Sequence, residues 1–154
     1  MRARLSRIIG VCAAVVLAVA CSAESDTGGL APSASAARER WSQHRPASYQ
    51  FTMAKGCECL ADVTRPVIVT VIGTTVTSRV YADNGVPVPA QFAPSFTTID
   101  ALFDLLQAAR DKNAAVAAAT FDAVLGYPLT IALDYSSIVA DDESWYTVTN
   151  FKAQ

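Results

Sequence analysis

The chain has 154 residues, within the size of a single domain, is 52% hydrophobic and carries a net charge of -2. That is not the composition of a disordered chain, nor the strongly basic balance of a typical nucleic-acid binder. Both values are distorted by the first 20 residues, which read as removable: without Arg2, Arg4 and Arg7, nine basic residues face 14 acidic ones, a net charge of -5. Such an acidic remainder disfavours polyanions and anionic lipid head groups as partners.

Residues 1–20 have the pattern of a signal peptide. Met1 to Arg7 is short and cationic, and Ile8 to Ala20 is apolar. A spanning helix needs roughly 20 apolar residues, so this run is short for a span and suits the core of a secretory signal. It ends Leu17-Ala18-Val19-Ala20-Cys21. Ala18-x-Ala20 fits the small-residue rule for signal cleavage. Ala20-Cys21 also resembles the lipobox of bacterial lipoproteins, whose cysteine carries diacylglycerol through a thioether. Leu17 stands one place earlier than that pattern prefers. Cys21 is therefore the expected lipid-attachment residue, and two acyl chains suffice for stable anchoring. Cys12 would leave with the signal, so Cys57 and Cys59 remain as an even pair. Residues 21–37, rich in Ser, Ala, Gly and Thr, read as a lipid-anchored flexible tether, which leaves 38–154 as one globular domain.

A short helix carrying Trp41 is expected over residues 36–44, ended by Arg45-Pro46. Tyr49, Phe51 and Met53 alternate with Gln50 and Thr52 as in a half-buried strand. The β-branched run from Pro66 to Ile72 places Val67, Val69 and Val71 on one face. Gly73-Thr74 breaks it, and Thr75 to Tyr81 completes a hairpin with Val76 and Val80 sharing a face. After a proline-rich loop a helix begins at Thr97 or Thr98, where Thr97 and Asp100 resemble a capping box. Ile99, Leu102, Phe103 and Leu106 form its apolar stripe. The Ala114–Ala119 tract is expected to prolong this helix or to form a second one. Leu129, Ile131, Leu133 and Tyr135 alternate as a strand. In the last strand Trp145, Thr147, Thr149 and Phe151 alternate against Tyr146, Val148 and Asn150. The expected fold is α+β: an antiparallel sheet of about five strands with one or two helices packed on it, in helix-β-β-β-helix-β-β order. Trp41, Tyr49, Phe51, Phe103, Trp145 and Phe151 are assigned to the core.

A set of motifs spread over this domain carries a family likeness. They are Trp41, Tyr49-x-Phe51, Cys57-x-Cys59, Arg65-Pro66-Val67, Phe121-Asp122-x-x-x-Gly126-Tyr127-Pro128, and Asp141-Asp142-Glu143-x-x-Tyr146-x-Val148-x-x-Phe151. Together they resemble a group of bacterial lipoproteins known as domain of unknown function 6174, in which the Phe121 position is usually tyrosine. The resemblance implies an exported, often lipid-anchored domain. It implies no activity, because the family has no established one.

Cys57-x-Cys59 is the most pointed chemical feature. In an extended strand, residues two apart have Cα atoms about 6.6 Å apart, the upper edge of disulfide geometry. A bridge therefore needs a bend, which Gly56 could permit. The readings open to the pair are a small structural disulfide loop, free thiols or a labile redox pair, and metal binding, though a thiolate metal site usually wants four ligands. Asp141, Asp142 and Glu143 form a weak candidate for a cation, without the spacing or glycine of an EF-hand loop. Gly126, Tyr127 and Pro128 read as a strand entry or bulge, or else as a turn displaying Tyr127 for binding. His44, the only histidine, reads as solvated or helix-capping rather than as a catalytic base. With no catalytic constellation recognised and no cofactor motif, the expected function is a non-enzymatic binding or scaffolding module of the cell envelope. The alternative is a thiol-redox or metal-handling protein using Cys57 and Cys59. Expected partners are the membrane, through lipid on Cys21, and an envelope protein or small ligand, with no nucleic acid.

Overall fold

The computed structural model describes residues 33–139 and 141–154. The expected signal segment, Cys21 and most of the expected tether lie outside the described residues. Ser33 Oγ accepts a hydrogen bond from the Ala36 backbone N–H and caps the first helix, α1 (Ala34–His44). The helix thus starts two residues earlier than the sequence suggested and takes residues 34–37 out of the tether. Ala37 and Trp41, four residues apart and hence on one face, are both fully buried.

Strand β1 (Ser48–Gly56) follows Pro46 and buries Tyr49, Phe51 and Met53, as its alternation predicts. A one-turn helix, α2 (Ala61–Thr64), leads to β2 (Val67–Ile72) and β3 (Thr75–Tyr81). Val67, Val69 and Val71 are all fully buried. Gly73 makes the turn at φ +61°, a conformation glycine adopts without steric cost.

The expected pairing of Val76 with Val80 on one face is wrong. Thr70 pairs with Ser78 but Val71 pairs with Val76, which leaves Thr77 as the extra residue of a bulge. Because side chains alternate every residue, that extra residue reverses the faces. Val76 packs against the core, Tyr81 is buried, and Val80 sits opposite Ile68 on the other face.

Helix α3 (Ile99–Asp111) is capped by Thr98, whose Oγ1 accepts from the Ala101 N–H at 3.1 Å. Its stripe of Ile99, Leu102, Phe103, Leu106 and Ala109 is buried. The alanine tract does not prolong it. Asn113 turns into the left-handed region at φ +54°, its N–H bonds the Arg110 carbonyl, and Ala114 N–H reaches back to the Ala109 carbonyl. These two bonds end the helix as a Schellman motif. Ala117, Ala118 and Ala119 then fall in β4 (Val116–Phe121), paired residue by residue with β5 (Pro128–Asp134) as far as Thr120–Thr130, beyond which Leu129 is an extra residue before the Phe121–Pro128 pair. Alanine's helical preference is worth under about 1 kcal/mol per residue, and strand pairing overrides it.

The last strand, β6 (Ser144–Ala153), inserts between β1 and β5. The sheet therefore has six strands, in the order β3-β2-β1-β6-β5-β4, with every neighbouring pair antiparallel. Helices α1 and α3 share one buried cluster with the inward side chains of the sheet. The opposite face is exposed or half-buried and rich in threonine, including a Thr120–Thr130 hydroxyl pair at 2.7 Å.

Asn150 decides the end of β6. It sits at φ +52°, and Phe51 faces two residues there, because Gln50 pairs with Lys152 while Thr52 pairs with Thr149. Phe151 is thereby turned inward, stacking on Tyr49 at 5.5 Å and on Tyr127 at 4.5 Å between ring centroids. Trp41 meets this stack edge-on, 5.3 Å from Tyr49 and 5.8 Å from Phe151. Trp145 remains on the opposite face, 54% exposed, and is not a core residue.

Candidate functional site

Gly56 closes β1 directly opposite Trp145 of β6. With no side chain of its own, Gly56 accepts the indole of Trp145 against its backbone, and a Cβ there would overlap the ring. Glycine in a strand commonly marks such a close approach, and a cross-strand aromatic covers the backbone it leaves bare. Trp145 is thus held in place although more than half its surface meets solvent.

The chain leaves β1 at Cys57 and bends at once. Cys59 N–H bonds the Cys57 carbonyl at 2.8 Å, a three-residue turn, and draws the two Cα atoms to 5.2 Å. This is the bend that a Cys-x-Cys bridge requires, and the two sulfurs lie in bonding contact. Cys59 is exposed and Cys57 half-buried, and neither belongs to the core cluster. In the chain-entropy model, closing so small a ring stabilises a fold by roughly 1.6 kcal/mol, against about 3 kcal/mol for a 15-residue loop. Cys57, Glu58, Thr64, Trp145 and Thr147 line a cleft of about 440 Å³ on this corner of the sheet. It offers an aromatic face, hydroxyls, one carboxylate and sulfur.

The other sequence candidates fall elsewhere. Gly126 sits at φ +84° in the tight turn between β4 and β5, where Asp122 N–H bonds the Tyr127 carbonyl at 2.8 Å. Asp122 Oδ1 also accepts from the Val124 and Leu125 N–H groups, which fixes the turn. Gly126 is buried against the Ala37 carbonyl of α1, which a Cβ would overlap. Tyr127 packs inward on Phe151, and burial raises its hydroxyl pKa. The motif docks the turn on α1 rather than displaying Tyr127. Pro128 is buried at the start of β5.

Asp141, at φ +70°, and Glu143 are exposed at the β5–β6 connection, while Asp142 is half-buried. Burial, followed by the nearby Asp134 and Glu143 carboxylates, raises the Asp142 pKa. Among the described residues no group of three or more His, Cys, Asp or Glu side chains is placed to hold a metal ion. His44 lies exposed in the last turn of α1, its Nδ1 donating to the Arg40 carbonyl at 2.9 Å.

Sequence reasoning missed Trp145 as a site residue because strict alternation gave it the same face as Phe151. The available signal was the glycine immediately before the two cysteines.

The sheet, its two helices and this corner define a small α+β domain with an exposed aromatic and sulfur-lined cleft. Residues 33–153 match the model of a family of unknown function, DUF6174, and the chain belongs to that family. No curated protein and no solved structure matches it.

Proposed function

We propose that the chain is an exported lipoprotein, anchored through Cys21, whose domain is a binding module of the cell envelope with the Trp145 cleft as its contact surface. The observation that carries the binding role is the seating of Trp145 on Gly56. An aromatic side chain that is exposed yet held in place gives up little freedom on meeting a ligand, which is why such residues anchor binding surfaces. The anchor rests on the cationic start, the short apolar run and the cysteine directly after Ala20.

Two measurements test this reading separately. Intact mass of the membrane-extracted protein should show diacylglycerol on Cys21, and Cys21→Ala should release the protein from the membrane. Unmodified wild-type protein in the soluble fraction would refute the anchor. Envelope partners crosslinked to the wild type should be lost from Trp145→Ala while its circular dichroism is unchanged. An identical set of partners in the two would refute the cleft.

A further inference from the structure

We infer that Cys57 and Cys59 form a thiol–disulfide exchange site, reduced by small-molecule thiols and re-formed by the corresponding disulfide while the fold stays intact. Four observations lead there. The two cysteines join positions only two apart, so opening the bond releases no long segment of chain. Neither sulfur is packed in the core cluster, so their separation leaves the core untouched. Cys59 is exposed and thus open to a thiolate from solvent. The cleft beside Cys57 provides space for the released sulfur. The turn also keeps a support of its own, the Cys59 N–H to Cys57 carbonyl bond, so the reduced pair remains close enough to be reoxidised.

The exchange balances in two steps. A thiolate attacks Cys59 Sγ, forming a mixed disulfide there and releasing Cys57 as its thiolate, which takes a proton from water. A second thiolate attacks the outer sulfur of the mixed disulfide, giving the small-molecule disulfide and the Cys59 thiolate. Two electrons pass from the two small thiols to the cysteine pair, and reoxidation is the reverse. Cys59 is the attacked sulfur because it is the more exposed of the two.

This inference is independent of the anchor and of any ligand in the cleft. Its test uses the purified full chain, equilibrated without denaturant in buffers of reduced and oxidised glutathione. The samples are quenched in acid and alkylated with a maleimide, and the peptide that follows Lys55 is weighed. The expected result is a reversible passage between an unlabelled peptide and one carrying two labels, with unchanged circular dichroism. In Cys57→Ser, oxidised glutathione should leave one glutathione on Cys59. A bond that opens only in denaturant, a pair that never reoxidises, or a loss of circular dichroism on reduction would overturn the inference. Absence of glutathione from Cys59 in a folded Cys57→Ser variant would also overturn it.

Discussion

The Trp145 indole lies directly on the backbone of Gly56, its register partner across β1 and β6. A large apolar side chain on the open face is positioned by the absence of one on the neighbouring strand. Gly56→Ala must therefore displace the ring, whose exposed side leaves solvent for it to move into. The fold should survive with a stability change within about 1 kcal/mol, typical of a cross-strand pair. Tryptophan emission should shift to the red as Trp145 enters water. Unshifted emission in a folded Gly56→Ala protein would contradict the contact.

Gly126→Ala meets two obstacles at once. Its φ of +84° is strained for any side chain, and its Cβ would overlap the Ala37 carbonyl, a backbone atom that cannot move without shifting α1. A loss of about 2–4 kcal/mol is expected, combining backbone strain with a steric shift. Urea denaturation of the variant would measure it, and a loss under about 1 kcal/mol would show that α1 adjusts freely.

Asn150 holds the left-handed conformation that turns Phe151 into the aromatic stack. Asn150→Gly should be tolerated, whereas Asn150→Val should cost about 1–3 kcal/mol, since β-branched residues avoid that region. The comparison of the two variants by thermal unfolding isolates backbone geometry from the loss of the amide. Equal destabilisation would implicate the amide, which donates to Thr52 Oγ1 at 3.3 Å.

Alkaline pH should weaken the fold through tyrosines. Burial pushes the Tyr49 hydroxyl up to about 12; the Ile99 backbone and Arg45 oppose the rise, and Asp100 adds to it. Tyr81 and Tyr127 are raised as well, chiefly by burial. A phenol with a folded pKa above its unfolded value is bound more tightly to its proton in the native state. Its stabilising contribution is complete below pH about 10 and is lost as the pH climbs from there toward 12. Absorbance at tyrosinate wavelengths should show these groups ionising late and together with loss of circular dichroism. Early ionisation of all the tyrosines in a still-folded protein would contradict their burial.

The uninterrupted elements were legible from the residues themselves. The valine run of β2, the Tyr49-x-Phe51-x-Met53 alternation and the α3 stripe each bury the face their periodicity marks. The turn of Gly73 and a helix start at Thr98 were also readable, because short-range chemistry sets them, although the cap is Thr98 itself and not the expected Thr97–Asp100 box. The errors gather where another strand intervenes. The Ala114–Ala119 tract carries helix-forming residues, yet β5 supplies the hydrogen-bond partners that make it a strand. The bulges at Thr77 and Asn150 shift the face count by one residue, so that Val80 turns out, and Phe151 packs on the core as expected while Trp145, expected on the same face, does not.

What the sequence by itself determined is therefore local: where apolar periodicity runs unbroken, where turns and caps fall, that the class is α+β, and that two cysteines stand two residues apart. Only the tertiary structure decided which face each interrupted strand presents, the six-strand order, the bend that brings Cys57 to Cys59, and the placing of Trp145 on Gly56. The reason is that alternation is a count along one chain, while a bulge, an inserted strand or a glycine contact depends on the partner across the sheet.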